Sequence, residues 1–242
     1  MPSKKSFLLE LSKKFDSLKK FYYFYNIYVR NFKFLNKGSQ FGEDEYILNL
    51  FDKKFKGKFL DVGCYHPTRH SNTYLMYKKG WSGLNIDLNP LTIELFNFMR
   101  PRDININIGI SDSEEEKRLF YIDELNTQNT LDQNQLNFLK NYHNIKDDEI
   151  IEKKIKTKRL DKILNDHKFF DIDFMNLDVE GHELNVLKTL NFKKISIKYI
   201  CVEMIDHNEI SIENNQKIKE LLFANNFNFI KNFNYNYIYQ RI

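Results

Sequence analysis

Carboxylate and imidazole side chains are concentrated in one short segment of the sequence. Three acidic residues and one histidine occupy the six positions Asp178-Val179-Glu180-Gly181-His182-Glu183. Like charges this close disfavour one another's ionisation, so a purely structural segment would not need so many. A second polar group, Glu203 followed by Asp206, His207 and Glu209, lies further along the chain. If the strands before the two groups are neighbours, Asp178 and Glu203 face each other.

Two kinds of chemistry suit these side chains. The candidate catalytic residues are Asp178, Glu180, His182, Glu203 and His207. Carboxylate oxygens bind hard divalent cations such as Mg²⁺, and Asp178 with Glu203 is the expected metal pair. Alternatively, one of these groups acts as a general base on a hydroxyl, with His182 or His207 favoured. A third interpretation is that some of them cap or orient a helix, which fits Glu183 best.

A glycine turn and a separate carboxylate follow two earlier strands. Gly63, in Asp61-Val62-Gly63, allows the backbone to turn tightly beside a ligand, but the fuller glycine fingerprint of dinucleotide-binding proteins is missing. Asp87 stands 24 residues later, where an acidic group accepts hydrogen bonds from ribose hydroxyls. The competing role for Asp87 is a charge at a helix start, and we favour ribose. Ser111 either meets an adenine edge or belongs to a plain turn.

Alternating strands and helices must position these residues. The hydrophobic pattern predicts strands at 58–63, 83–87, 104–110, 117–122, 155–157, 172–178 and 197–204, and helices at 71–79, 89–100, 160–167, 183–190 and 212–225. An antiparallel hairpin at 227–230 and 235–241 closes the chain. This order predicts an α/β, Rossmann-like fold with a mostly parallel sheet, whose ligands bind beyond the carboxyl ends of the strands.

Two stretches stand apart from that alternation. Residues 1–37 form a basic, aromatic extension to a domain spanning 38–242, and apolar spacing predicts a helix at 7–35. That helix either docks on a membrane surface or, as we favour, packs on its own domain or on a second subunit, which would make a homodimer. Residues 123–150 are polar without strong periodicity, which predicts a long loop acting as a substrate lid.

Charge and cysteine content narrow the classes of function. Residues 1–37 carry nine Lys and Arg against two acidic residues, a balance of +7, so the rest of this +4 chain sums to −3. A slightly acidic body argues against a nucleic-acid partner and favours a small or nucleotide-linked substrate. Cys64 and Cys201 are expected to be reduced, buried thiols. With no signal peptide or long apolar span in view, we expect a cytoplasmic protein.

Several motifs together resemble the FkbM-like S-adenosylmethionine (SAM)-dependent methyltransferases. They are Ser39-Gln40-Phe41-Gly42-Glu43-Asp44, Asp61-Val62-Gly63, Ser71-Asn72-Thr73-Tyr74, Lys79-Gly80-Trp81-Ser82-Gly83, Asp87 and Asp178-x-Glu180-Gly181-x-Glu183. The resemblance covers roughly residues 38–205. This sequence departs from the usual family form at Cys64-Tyr65-His66-Pro67, where a smaller turn containing Asn or Gly is frequent.

The resemblance implies a class I methyltransferase fold, with a seven-stranded sheet, and SAM as methyl donor. By position, Gln40, Glu43 and Asp44 would lie over SAM, Asp61 and Gly63 near its methionine part, Asp87 at the ribose and Ser111 near adenine. It also implies O-methylation, with a sugar hydroxyl of a nucleotide-sugar or of a surface (capsular) polysaccharide precursor as the expected acceptor. The alternatives are a lipid-linked or peptide acceptor and a non-catalytic scaffold.

Overall fold

The computed structural model describes residues 16–122, 129–143, 146 and 150–242. Its strands are β1 (Lys58–Val62), β2 (Ser82–Asp87), β3 (Ile104–Asn107), β4 (Gly109–Ile110), β5 (Glu116–Tyr121), β6 (Ile151–Lys158), β7 (Asp171–Leu177), β8 (Ser196–Glu203), β9 (Phe227–Phe233) and β10 (Asn236–Arg241). Its α-helices are α1 (Asp16–Phe24), α2 (Glu43–Asn49), α3 (Tyr74–Lys78), α4 (Pro90–Met99), α5 (Gln133–His143), α6 (Leu160–Asp166), α7 (Glu183–Lys188) and α8 (Glu209–Ala224).

Seven strands form the central sheet, in the order β3-β2-β1-β7-β8-β10-β9. All neighbours from β3 to β8 pair in parallel, and only β10 of these seven runs antiparallel to the others. The strand order reverses between β1 and β7, which leaves a crevice at their carboxyl ends. The predicted seven-stranded α/β sheet with its antiparallel C-terminal hairpin is confirmed.

Neighbouring residues of the central strands bury their side chains on opposite faces of the sheet. Phe59 and Phe174 join one apolar cluster, whereas Leu60 and Met175 join the other. Because both faces are covered, these strands are near-continuous apolar runs instead of alternating ones. Both cysteines are free and buried, as predicted.

A second sheet of three strands, in the order β4-β6-β5, begins where the chain leaves β3. The prediction of a single strand at 104–110 is therefore wrong. After Asn107 the chain changes sheets, and Gly109–Ile110 pairs with the end of β6 instead of with β2. The predicted edge strand at 117–122 is β5 of this sheet, and β6 is longer than the predicted 155–157.

The stretch 123–150, predicted to be a loop, contains helix α5. Leu136 and Leu139 are buried, but polar side chains surround them, so the sequence offered too short an apolar repeat to indicate a helix. Residues 123–128, 144–145 and 147–149 of this stretch lie outside the described part of the chain.

The N-terminal segment is helical from Asp16 to Leu35, as α1, a π-helical turn and a 3₁₀ turn. Residues 7–15 of the predicted helix lie outside the part of the chain that the structure describes. Tyr22, Tyr23 and Ile27 pack on Leu91 and Leu95 of α4, so the segment packs on its own domain. Its other face exposes aromatic side chains, among them Phe21 at 63% and Phe32 at 66%. No helix in the described ranges combines the length and apolarity that crossing a bilayer requires.

Candidate active site at the carboxyl ends of the parallel strands

A cavity of about 330 Å³ opens where the strand order reverses. The ends of β1, β2, β7 and β8 and the turn between β9 and β10 contribute to its wall. Eight of the residues singled out in the sequence line it, namely Gln40, Asp61, Gly63, Asp87, Asp178, Glu180, His182 and Glu203. The volume lies within the range of small-molecule sites.

Glu43 and Asp44, predicted to lie over the cofactor, support the cavity wall from behind. Glu43 accepts hydrogen bonds from the Phe41 amide at 2.9 Å and from Asn236 Nδ2 at 2.7 Å, which ties the start of α2 to β10. Asp44 accepts from the Ser39 amide at 3.1 Å and the Ser39 hydroxyl at 2.5 Å. Burial raises the pKa of Asp44 to about 6. Both carboxylates therefore hold the loop that carries Gln40.

Ser111 also lies outside the cavity lining. Its side chain is buried and its hydroxyl donates to Asp112 at 2.9 Å, while its amide donates to the Lys158 carbonyl at 3.2 Å. These contacts are those of a turn between β4 and β5 of the second sheet, which is the competing interpretation given above. Ile108, Gly109 and Ile110 line the cavity in its place.

Asp61 is held by a buried hydrogen-bond network on the cavity floor. Its carboxylate accepts from Thr73 Oγ1 at 2.6 Å and from Asn176 Nδ2 at 2.9 Å. Arg100, fully buried, donates to the same Thr73 hydroxyl at 2.8 Å. Burial raises the pKa of Asp61, and the two hydrogen bonds and the Arg100 charge oppose that rise. The network fixes the ends of β1 and β7 relative to each other.

Gly63 is required by its contact with β7. Its φ is +80°, and a Cβ placed on it would lie 1.6 Å from the carbonyl oxygen of Asp178. Only glycine lets the backbone turn here pass so close to the neighbouring strand end. The sequence predicted an approach to a ligand at this position, and the described contact is with the protein's own backbone.

Asp87 both lines the cavity and organises the loop beside it. Its Oδ2 accepts from the Tyr65 amide at 2.9 Å, and its Oδ1 accepts from the Asn89 amide at 2.7 Å. Burial raises its pKa to about 6. Because each carboxylate oxygen has a second lone pair, Asp87 retains acceptor capacity towards the cavity. The ribose and helix-start interpretations are therefore compatible.

Asp178 and Glu203 form a hydrogen-bonded carboxyl pair at the ends of β7 and β8. Burial, followed by the neighbouring charges of Glu183 and Asp61, raises the pKa of Asp178 to about 7. Burial and the charge of Asp178 hold the pKa of Glu203 well above its usual range. Two carboxylates this close cannot both ionise cheaply, so the pair shares one proton near neutral pH.

Glu180 sits in an unusual backbone turn beneath the segment before α5. Its φ is +52°, in the left-handed region that non-glycine residues seldom adopt. Thr130 donates to the Glu180 carbonyl at 2.8 Å, and Gln135 Nε2 donates to its carboxylate at 3.1 Å. Burial and the charge of Asp178 raise the pKa of Glu180 well above its usual range. Part of the predicted lid therefore covers the acidic segment directly.

Glu183 has the structural role expected of it. Its Oε1 accepts from the amides of Val179 at 2.9 Å and Gly181 at 3.2 Å, at the start of α7. Three carboxylates have oxygens within 4.8 Å of one another, a spacing that could hold a metal ion. They are Asp178, Glu183 and Glu203. These residues fit a metal ion only in part, because Glu183 already accepts hydrogen bonds from backbone amides and Asp178 and Glu203 share a proton.

The two imidazoles occupy different places. His182 lines the cavity, and burial lowers its pKa. His207 lies outside that lining, stacked on Phe138 at 3.7 Å between ring centroids, beside a second cavity of about 50 Å³. Of the two, only His182 faces the main cavity.

Some lining residues carried no signal in the sequence. Tyr235 reaches the site from the β9–β10 turn, where its hydroxyl donates to Gln40 at 3.5 Å. Asn129 and Leu131 come from the stretch predicted as a loop. Their position depends on strand order and on the second sheet, which no local pattern encodes. Ile108 lies inside the strand predicted at 104–110, and it lines the cavity because the chain leaves the central sheet after Asn107.

The segment Cys64-Tyr65-His66-Pro67, where the sequence departs from the usual family form, contacts the N-terminal helical segment. His66 Nε2 lies 3.0 Å from Asn26 Oδ1, and its Nδ1 accepts from the Thr68 and Arg69 amides at 3.1 and 3.0 Å. Burial lowers the pKa of His66 to about 3, so the ring is neutral. His66, which belongs to this unusual segment, thus anchors the N-terminal helical residues 16–35 to the loop beside the cavity.

Three comparisons relate the chain to known proteins. A family model described as "Methyltransferase FkbM domain" matches residues 61–237. Among solved structures, a TehB-like SAM-dependent methyltransferase from Corynebacterium glutamicum ATCC 13032 Kitasato is similar at 9% identity and a TM-score of 0.47, covering 89% of this chain and 96% of that one. No curated protein matches the chain.

Proposed function

The chain belongs to the methyltransferase FkbM domain family, and from that premise we propose that it transfers a methyl group from SAM to a hydroxyl of a sugar. The acceptor we propose is a nucleotide-linked sugar or a surface-polysaccharide precursor. The observation that carries the proposal is the carboxyl pair of Asp178 and Glu203 at the cavity wall, because it provides a base poised near neutral pH.

The cavity suits SAM in its charge and in its mixture of polar and apolar lining residues. Asp87 offers acceptor capacity for the ribose hydroxyls, and Ile108 and Ile110 supply an apolar surface for adenine. The acidic wall, with Asp61 and Asp178, favours a cationic group near the end of β7. When bound, SAM supplies an electrophilic methyl group on a positively charged sulfur.

Asp178 is the base we favour over His182 and His207. Methyl transfer needs the acceptor hydroxyl held in line and its proton removed. With a pKa of about 7, Asp178 is largely ionised at slightly alkaline pH and still basic enough to take that proton. Glu203, which is hydrogen-bonded to Asp178, orients it. His182, whose pKa burial lowers, is the weaker base.

A divalent cation on Asp178 and Glu203 remains the second mechanistic proposal. A cation there would replace the proton that the two groups share and would lower the pKa of a bound hydroxyl. Activity that survives removal of metal by EDTA, and is unchanged by added Mg²⁺, would rule this route out in favour of Asp178 as base.

Titration calorimetry with SAM, for the wild type and for Asp87→Ala, tests the cofactor site. We expect binding that the substitution weakens. A screen of sugar nucleotides, with and without Mg²⁺, then identifies the acceptor. If the folded wild type does not bind SAM, the enzyme proposal fails and a scaffold role takes its place.

The exposed face of the N-terminal segment favours one alternative acceptor. Phe21, Phe24 and Phe32 are at least half exposed, beside Lys20 and Lys33. An aromatic, basic surface of this kind binds anionic membranes, which would bring a lipid-linked acceptor to the site. Co-sedimentation with anionic liposomes, lost on deleting residues 1–37, would support it. Absence of co-sedimentation by the full chain would refute it.

A further inference from the structure

The loop between β1 and α3 contributes a single cationic side chain to the wall of the main cavity. This residue is Arg69, and no Lys or other Arg is among the described residues that line the cavity. The same lining holds five carboxyl groups, those of Asp61, Asp87, Asp178, Glu180 and Glu203. None of the methyl-transfer steps proposed above uses Arg69.

The two histidines of the lining add no further positive charge. His70 follows Arg69 in the loop, and burial, followed by the Arg69 charge, lowers its pKa. Burial also lowers the pKa of His182. A histidine whose pKa is lowered is neutral at neutral pH. Arg69 is therefore the one cation that the described lining offers to a ligand.

The guanidinium of Arg69 has its hydrogen-bond donors available. The side chain is half-buried, and it makes no ion pair and donates no hydrogen bond within residues 16–122, 129–143, 146 and 150–242. Its guanidinium carbon lies 5.7 Å from the centroid of the Tyr65 ring, which also lines the cavity. That contact provides no oxygen acceptor, so the five N–H donors of the guanidinium remain for a ligand.

A different arginine, Arg100, holds the loop in shape. It is fully buried behind the loop. It donates to the Pro67 carbonyl at 3.0 Å and to the hydroxyls of Ser71 and Thr73, both at 2.8 Å. Because these contacts fix both ends of residues 67–73, we expect the loop to keep its geometry when Arg69 is replaced.

Arg69 lies on the loop beside the proposed ribose site. Asp87, the residue proposed for the ribose, accepts from the Tyr65 amide at 2.9 Å, and Arg69 lies beside the ring of the same Tyr65. SAM carries a carboxylate at the end of its methionine part, beyond the ribose. The acidic wall repels a carboxylate, whereas Arg69 attracts it. Charge complementarity therefore favours Arg69 as the partner of this group.

We propose that Arg69 binds the α-carboxylate of SAM through its guanidinium fork, while the sulfonium faces the acidic wall at Asp61 and Asp178. The fork matches the two oxygens of a carboxylate, and such charge-assisted pairs are stronger than hydrogen bonds between neutral groups. This assignment rests on the SAM cofactor proposed above and gives it a binding residue. The opposite charges of SAM would then contact opposite charges of the cavity.

Titration calorimetry with two ligands tests the assignment on the full chain. The ligands are SAM and decarboxylated SAM, which differ only in the carboxylate. We expect Arg69→Gln to weaken SAM binding about ten- to hundredfold, because hydrogen bonds to a charged group are lost. The same substitution should not weaken the binding of decarboxylated SAM by more than about twofold, since that ligand has no carboxylate to lose a partner.

Arg102→Gln is the matched control. Arg102 is exposed and lies outside the cavity lining, and its guanidinium also lies over a tyrosine ring, that of Tyr77 at 4.2 Å. The control removes the same charge and the same kind of ring contact, and we expect it to leave the affinities for both ligands unchanged. Arg69→Lys keeps the charge without the fork, so its affinity for SAM should fall between those of the wild type and Arg69→Gln. Circular dichroism checks that the variants fold.

Three results would overturn the assignment while leaving the proposed methyltransferase function in place. Equal weakening of both ligands by Arg69→Gln would make Arg69 a support of the loop. Unchanged SAM binding in that variant would leave Arg69 to another ligand, such as an anionic acceptor. Equal weakening of SAM binding by Arg102→Gln would reduce the effect to net charge. A folded wild type that binds neither ligand would instead refute the SAM cofactor itself, and this assignment with it.

Discussion

Replacing Gly63 by alanine tests whether backbone packing between β1 and β7 shapes the active site. A left-handed conformation costs a residue with a side chain about 1–2 kcal/mol. At Gly63, whose φ is +80°, the new Cβ would also meet the Asp178 carbonyl oxygen at 1.6 Å, and a backbone atom cannot rotate away. Overpacking of this kind adds about 1–3 kcal/mol. We therefore expect Gly63→Ala to lower the free energy of unfolding by about 2–5 kcal/mol.

Gly42→Ala is the matched control. Gly42 has a φ of +97°, and a Cβ there would meet nothing within 4 Å, so only the conformational cost of about 1–2 kcal/mol applies. Urea unfolding followed by circular dichroism measures both variants, and calorimetry measures SAM binding. Because Asp178 must move, Gly63→Ala should also weaken SAM binding, whereas Gly42→Ala should not. Equal losses of stability in the two variants would show that the contact with Asp178 does not determine the need for glycine.

Three further predictions concern charge. Methyl transfer should rise with pH through about 7 as Asp178 loses its proton, and Asp178→Asn should lower kcat by about 10²–10⁴-fold and abolish that rise, measured as a pH–rate profile. SAM affinity should fall below about pH 6, where Asp87 gains a proton and can no longer accept fully, and Asp87→Asn should flatten that dependence in calorimetry. Arg100→Met should cost about 3 kcal/mol in urea unfolding, because Ser71, Thr73 and the Pro67 carbonyl lose a buried donor. Arg102→Met, at an exposed position bonded to Tyr77, should cost less than about 1 kcal/mol.

Most strands of the central sheet could be predicted from the hydrophobic pattern of the sequence. The apolar runs at β1, β7 and β8 are covered on both faces, and such strands can be predicted because most of their buried positions are apolar. The start of the helix predicted at 89–100 is equally local, since the Asn89 side chain accepts from the Leu91 amide two residues away. Residues that end parallel strands could be assigned to the site because parallel strands place their carboxyl ends on one edge.

Residues whose roles depend on long-range contacts could not be assigned in this way. Glu43 resembles a cavity residue in the sequence, yet its partner Asn236 lies near the other end of the chain. Helix α5 was missed because its stability derives from Leu136 and Leu139 packing on the rest of the fold, not from its own polar sequence.

The order of residues along the chain therefore specifies which carboxylates follow which strands, and which fold can hold them. The proton affinity of those carboxylates, in contrast, is a property of the folded sheet. Asp178 and Glu203 are ordinary acids in an extended chain, and their raised pKa values arise because adjacent strands bring them together in a buried place. Proximity and burial belong to the folded sheet, and no single segment of the sequence encodes them.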